Sequence, residues 1–279
     1  MSSERKDILN PSETKEHEIH KNISRSQNAI LEFRQVGFSY ERNKPFINDI
    51  SFSIKNGEFI GLLGANASGK STILKLAGGI LRTSGGNVNL WGKSIQLYKN
   101  SDRAKLLSYL PQILDMNVPF TVRELAGMGL YPYEISPALT PDEAIEMVGL
   151  ADKAGSLITN LSGGERRRAF IAMTLLQGAG LLLLDEPLAN LDIKYQIELL
   201  RLLKELRKNR NLAVVMALHD MNVALQFEKI MLIKQGRILG VGSPDEVMTD
   251  ALLRQAFEVE LEVKKHGSGG AYIKYQDIF

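Results

Sequence analysis

The chain of 279 residues has no cysteine, which excludes both a disulfide framework and a thiolate metal site. No apolar run approaches the ~18 residues that a membrane-crossing helix needs, so any work at a membrane must be done through a partner. A strong charge of either sign is also missing. The formal net charge is +2, too small to argue for nucleic acid as a partner. Basic clusters occur at Arg166-Arg167-Arg168 and at Arg207-Lys208-Asn209-Arg210, and both read as solvated helix faces. The first residues lack a signal-peptide apolar region and are rich in Ser, Glu, Lys and His. Residues 1–28 are therefore expected to form a flexible polar tail ahead of one domain spanning 29–279. The remaining composition, 44% hydrophobic and 24% charged, is ordinary for a globular chain able to bury one large core or two modest ones.

Hydrophobic periodicity divides that domain. Leu31 to Tyr40 and Phe46 to Ile54 alternate weakly and read as strands. The short apolar run Phe59-Ile60-Gly61-Leu62-Leu63 suits a strand buried on both faces, and Ser71 to Leu81 reads as a helix behind it. Val88 to Ile95 suggests a further pair of short strands. From about Ile113 to Asn160 the pattern turns helical, with capping-box starts at Thr121-Val122-Arg123-Glu124 and Thr140-Pro141-Asp142-Glu143. Strand-then-helix units follow. Leu181–Leu184 leads to a helix from Asp192 to Leu206 with Ile193, Ile197, Leu200 and Leu203 expected on its inner face. Leu212–Leu218 precedes a helix from Met221 to Phe227, and Ile230–Ile233 and Arg237–Val241 flank a tight turn at Gln235-Gly236. Ser243-Pro244-Asp245-Glu246 is another capping box, and Val259 to Val263 alternates as an edge strand. Strands alternating with helices predict an α/β core with a parallel sheet.

Chemistry concentrates at a few places along the chain. Gly64-Ala65-Asn66-Ala67-Ser68-Gly69-Lys70-Ser71 fits G-x-x-x-x-G-K-[ST] between a predicted strand and a predicted helix. Small residues let consecutive backbone N–H groups wrap phosphates, and the helix start adds partial positive charge. Lys70 can neutralise phosphate oxygens, and the Ser71 hydroxyl can ligate Mg²⁺. Asp185 and Glu186 close an apolar strand, where a parallel sheet presents its ligand-binding edge. The first acid suits a metal and the second a general base for water. His219 closes the next apolar strand, and Gln112 follows Tyr109-Leu110-Pro111. Ser162-Gly163-Gly164 opens a helix and offers a second anion-binding design, which suggests one nucleotide gripped from two sides. Tyr40 is an aromatic before a turn, a kind of residue more often found in a core.

Taken together, in this order and spacing, these residues resemble the nucleotide-binding subunit of an ATP-binding-cassette (ABC) transporter, from about Leu31 to Val263. The resemblance implies a P-loop NTPase (RecA-like) α/β core with a mainly parallel sheet, an antiparallel β subdomain and a small helical subdomain at about 113–162. It implies ATP and Mg²⁺ as ligands. Gly64, Ala65, Asn66, Ala67, Ser68, Gly69, Lys70, Ser71 and Thr72 would hold the phosphates, and Tyr40 would stack on adenine. Ser71, Gln112 and Asp185 would hold or sense the metal, Glu186 would act as base, and His219 would contact the γ-phosphate. Ser162, Gly163, Gly164 and Glu165 would grip ATP held by a second copy of the chain, with Asp192 at the seam. The implied partners are that second copy, integral-membrane permease subunits and a substrate-binding protein, with no nucleic acid. The implied location is peripheral, on the cytoplasmic face of the cell membrane.

Softer stretches narrow the branch. Thr121-Val122-Arg123-Glu124-Leu125, Gly129-Leu130-Tyr131-Pro132, Leu218-His219-Asp220-Met221-Asn222 and Leu252-Leu253-Arg254-Gln255-Ala256-Phe257 resemble importers of iron chelates, haem and cobalamin. Glu165, where many cassettes carry glutamine, also occurs there. The alternatives are an exporter or lipid-transport ATPase, or a soluble ABC ATPase acting on DNA or ribosomes. A single cassette without a long coiled-coil insertion speaks against the soluble kind. Ala65 and Ala67 stand where the family often has proline and glycine. If position 67 needs a left-handed backbone, alanine there costs on the order of 1 kcal/mol.

Overall fold

The computed structural model describes residues 29–114, 119–134, 139–265 and 270–275. Ala29–Phe38 (β1) and Ile47–Lys55 (β2) pair antiparallel, and Phe59–Leu63 (β3) then enters the middle of a different sheet. The loop after β3 opens the helix Lys70–Ala77 (α1), which is shorter than expected because it stops at Gly78-Gly79. Gly85–Leu90 (β4) and Lys93–Ser94 (β5) return to the first sheet, giving it the antiparallel order β2-β1-β4-β5.

Asn100–Leu106 (α2) and Leu107–Leu110 (β6) follow, and neither was legible as an element from sequence. Val122–Gly127 (α3) and Pro141–Met147 (α4) begin at the two anticipated capping boxes, each with both reciprocal hydrogen bonds. Such a cap is worth about 1 kcal/mol. They pack on Gly163–Leu176 (α5), whose N-cap Ser162 forms a further capping box with Glu165.

The remaining chain builds the parallel sheet. Leu181–Asp185 (β7), the helix Ile193–Arg210 (α6), Ala213–Leu218 (β8) and Met221–Ala224 (α7) lead to the hairpin Lys229–Lys234 (β9) and Arg237–Gly242 (β10). The strand order is β10-β9-β3-β8-β7-β6, with β9, β3, β8, β7 and β6 parallel and β10 antiparallel at the edge. Pro244–Val247 (α8) and Asp250–Phe257 (α9) precede Leu261–Lys265 (β11) and Ala271–Tyr275 (β12).

Period-2 alternation sorts the parallel strands between two cores. Leu182, Leu184, Val214, Met216 and Leu218 belong to one cluster with the helices α3, α4 and α5. Leu181, Leu183, Ala213, Val215 and Ala217 belong to the other, with α1 and the antiparallel sheet. This is why these strands read as unbroken apolar runs. Among the described residues no helix is long and apolar enough to cross a membrane.

Two expectations are corrected. On α6 the buried residues are Leu199, Leu203 and Leu206, while Ile193 and Ile197 are exposed. The inner face therefore lies about a quarter turn from the one expected, sharing Leu203 with it, and helix period alone could not choose between two overlapping apolar stripes. The edge strand expected over Val259–Val263 is shifted along the chain to Leu261–Lys265 and lies outside the main sheet. It becomes β11, paired antiparallel only with β12 in a separate ribbon.

Candidate functional site

Four neighbouring parallel strands deliver the functional loops to one edge. β3 ends at the phosphate loop, β6 leads to Gln112, β7 ends in Asp185 and Glu186, and β8 precedes His219. The loop from Gly64 is held tightly. A Cβ on Gly64 would stand 2.3 Å from the carbonyl oxygen of Ile233, so no larger residue fits. Gly69 caps α1 with φ 114°, a conformation that favours glycine. Ala67 does take a left-handed backbone, φ 59°, at the cost foreseen. Lys70 Nζ donates to the carbonyls of Gly64 at 2.8 Å and Ala65 at 3.1 Å, folding the loop around its own ammonium. Burial lowers the Lys70 pKa, and the charges of Glu186 and Asp185 oppose that fall.

Around the loop opens a cavity of about 730 Å³, lined by Gly64 through Thr72 and by Gln112, Glu186 and His219. That volume suits a nucleotide-sized ligand. Ser71 Oγ donates to Asp185 Oδ1 at 3.0 Å, and the Tyr109 hydroxyl donates to Oδ2 at 3.4 Å. Burial raises the Asp185 pKa above the ordinary carboxylate range, against the hydrogen bond from Ser71. Burial, then the Asp185 charge, pushes the Tyr109 phenol well above its usual value, so it stays a donor. A desolvated carboxylate beside a hydroxyl is an oxygen-only donor set, which fits a hard divalent cation such as Mg²⁺. Among the described residues there is no group of three or more His, Cys, Asp or Glu, so such an ion needs oxygens from its ligand and from water.

Gln112 Nε2 donates to Glu186 Oε2 at 2.8 Å, and His219 Nδ1 lies 4.0 Å from the same oxygen. Glu186 has φ 49°, and its carbonyl accepts from a buried arginine, Arg167. The basic run Arg166-Arg167-Arg168 is therefore not a solvated face. Arg167 and Arg168 are 4% and 7% exposed. Arg168 donates to the carbonyls of Val148 at 2.9 Å and Gly149 at 2.7 Å, with its guanidinium 3.8 Å from the Tyr195 ring centre. Charge runs are usually solvated, but here carbonyls just after a helix and just after two strands supply the acceptors.

The remaining candidates stand apart from the cavity. Tyr40 is 59% exposed, makes edge contacts with Phe38 and Phe46, and shares a 2.9 Å hydrogen bond with Thr72 Oγ1. Phe46 and Phe257 line the cavity and were not expected in the site; an aromatic in a loop or at the last turn of a helix carries no site signal until its neighbours are known. Ser162 and Gly163 are exposed at the start of α5, and neither they nor Gly164, Glu165 or Asp192 line the cavity. The Glu165 carboxylate is engaged by Lys153, the backbone N–H of Ser162 and the Ser162 hydroxyl, which together hold its pKa down to about 2.

Residues 47–189 match the ABC transporter family model. The chain belongs to the ABC transporter family. This cassette is 38% identical to the iron(3+)-hydroxamate import ATP-binding protein FhuC of Bacillus subtilis, over 84% of this chain and 89% of that protein. It is 36% identical to the hemin import ATP-binding protein HmuV of Bordetella avium, over 80% of this chain and 90% of the other. Among solved structures, a dimeric bacterial ABC transporter cassette superposes with a TM-score of 0.68 at 25% identity, covering 76% of this chain and 98% of that one. The cassettes of this family are ATPases, and the mixed α/β fold with its parallel and antiparallel sheets is theirs.

Proposed function

We propose that this cassette is the ATP-hydrolysing subunit of an importer for an iron chelate, haem or cobalamin. In this reading it works peripherally at the cytoplasmic face of a membrane, on a permease dimer fed by a substrate-binding protein. The names of its similar proteins, iron-hydroxamate and hemin import ATP-binding proteins, support the substrate class.

ATP lies in the cradle Gly64, Ala65, Asn66, Ala67, Ser68, Gly69, Lys70, Ser71 and Thr72, whose backbone N–H groups and helix start favour phosphate. Lys70 gives up its two loop carbonyls and turns its ammonium onto the β- and γ-phosphate oxygens. Ser71, Asp185 and Gln112 would hold Mg²⁺, which when bound draws charge from the phosphate oxygens. Glu186 takes a proton from the attacking water. The water oxygen bonds to the γ-phosphorus as the bond to the bridging oxygen breaks, giving ADP and phosphate. Gln112 orients the base through its 2.8 Å hydrogen bond, and His219 reaches the γ-phosphate. Tyr40 or the neighbouring Phe46 offers a face to adenine.

One observation carries the mechanism. The cavity is lined by the phosphate loop, Glu186, Gln112 and His219, with Asp185 buried behind Ser71, while Ser162 and Gly163 are exposed outside it and Gly164 does not line it. A lone copy therefore has half a site. A second copy brings its own Ser162, Gly163, Gly164, Glu165 and Asp192 to close it, and the likeness to a dimeric cassette supports that arrangement. Bound at such a seam, ATP favours the closed dimer by its own binding energy. Ser162→Arg tests this directly. Its affinity for ATP should stay within about threefold, while hydrolysis falls by more than about 100-fold, the scale of losing one oxyanion-type contact. Normal hydrolysis by Ser162→Arg would refute a site completed in trans. Uptake of ferric hydroxamate, haem and cobalamin by cells with and without the chain separates the substrates.

A further inference from the structure

Among the described residues the scheme above leaves two buried charges, Arg167 and Arg168, without a task, and of these Arg167 touches the residues of the site. Arg167 is 4% exposed on α5, five residues after Ser162. Its Nη1 donates to the carbonyl of Glu186, and its Nη2 donates to the carbonyl of Gln112 at 2.6 Å. Those are the residues whose side chains meet 2.8 Å apart beside the phosphate loop. One guanidinium thus grips the backbones on both sides of that contact. The Glu186 peptide needs holding, because φ 49° is a left-handed conformation that a residue with a Cβ disfavours. A second bond to the same carbonyl, from the Ala189 amide at 3.2 Å, leaves the Gln112 side of the grip to Arg167. A planar fork can aim two N–H groups at two fixed carbonyls, whereas a lysine ammonium is a point charge on a flexible stem. Burial costs the guanidinium, and the nearby charges of Glu186 and Asp185 offset part of that cost.

We propose that Arg167 is a positioning residue for hydrolysis: it sets the spacing of Gln112 and Glu186, and ties that spacing to the helix that begins at Ser162. Engagement of Ser162 by a second copy's ATP then reaches the base through a single side chain. The proposal rests on the reading of Glu186 as base, and the test separates the two.

Arg167→Gln, Arg167→Lys, Glu186→Gln and the double variant Arg167→Gln/Glu186→Gln are purified and compared for ATP affinity, kcat and KM. Arg167→Gln should lose at least tenfold in kcat with KM for ATP within about threefold of the parent. Arg167→Lys should recover less than half of that loss. In the Glu186→Gln background, Arg167→Gln should change the residual rate by less than twofold, because residues that act as a unit are not additive. A kcat for Arg167→Gln within twofold of the parent overturns the proposal, as does a fully additive double variant. Counting ATP-binding sites per chain shows whether a lower kcat reflects misfolded protein; if Arg167→Gln does not fold, Arg167→Lys carries the same comparison. Substantial hydrolysis by Glu186→Gln alone would instead sink the role of Glu186.

Discussion

Glu186→Gln isolates the chemistry of the site with little change of shape. Glutamine matches glutamate in size, and the backbone that carries it is held by bonds to its carbonyl that the substitution leaves alone. The 2.8 Å contact with Gln112 survives as an amide–amide hydrogen bond. What disappears is the proton acceptor. General-base catalysis contributes about 10²–10⁴-fold, so kcat should fall by that factor, or about 2.7–5.5 kcal/mol of barrier. Binding should not fall with it. The charge of Glu186 helps push up the Asp185 pKa, and its removal also takes one negative charge from a cavity built for a polyanion. ATP affinity should therefore hold or rise, and with hydrolysis blocked the ATP-bound dimer should accumulate on size exclusion. Phosphate release, ATP titration and elution volume measure the three quantities. A kcat within tenfold of the parent would refute the assignment of the base, and a chain that stays monomeric with saturating ATP would refute the shared site.

Two further outcomes concern structure more than turnover. Arg168→Met keeps the length of the side chain but orphans the Val148 and Gly149 carbonyls and removes the stack on Tyr195. With about 1–3 kcal/mol for the buried Val148 acceptor, about 1 kcal/mol for the stack on Tyr195, and the exposed Gly149 left to water, the expected loss is about 2–4 kcal/mol. Thermal melting should show this as a Tm lower by about 3–7 °C for a chain of this size, and a shift under 1 °C would return Arg168 to the solvated surface. The second outcome concerns acid. Because the folded-state pKa of Glu165 is lowered to about 2 from an ordinary 4.5, its contribution is full above about pH 4.5 and disappears as pH falls toward 2. Lys153→Met removes the largest cause of that depression. The parent's advantage over Lys153→Met in urea melts should be constant near neutrality and should close as pH falls through that window. An advantage independent of pH would show that the pair is not coupled to folding.

Several features of the cassette were readable residue by residue because their physics is local. The phosphate loop is a run of small residues between a strand and a helix. The capping boxes at Thr121, Thr140 and Ser243 are three-residue spacings, and the same spacing from Ser162 to Glu165 marked a fourth that reading by motif alone passed over. The apolar strands announced a sheet buried on both faces, and the two cores that sandwich it confirm why they lack polar alternation. Strands without such runs, β6 and β12, were invisible, since four or five mixed residues pair only because a neighbour is waiting.

Only the tertiary structure decided which partners meet. Sequence placed Glu186 and His219 each at a strand end and left Gln112 in no element; adjacency of β6, β7, β8 and β3 in one sheet brought them round a single cavity. It also reversed the sense of the arginine run, because whether a cation is solvated depends on carbonyls that lie 19 to 55 residues away. The helix α6 makes the same point with leucines: period sets that one stripe is buried, and packing chooses which. The amino-acid order by itself determined what this protein binds and what chemistry it can do, because anion cradles and strand-end acids are written in adjacent residues. The folded chain decided how those parts are spaced and braced, and that Ser162 does not line the cavity of its own copy.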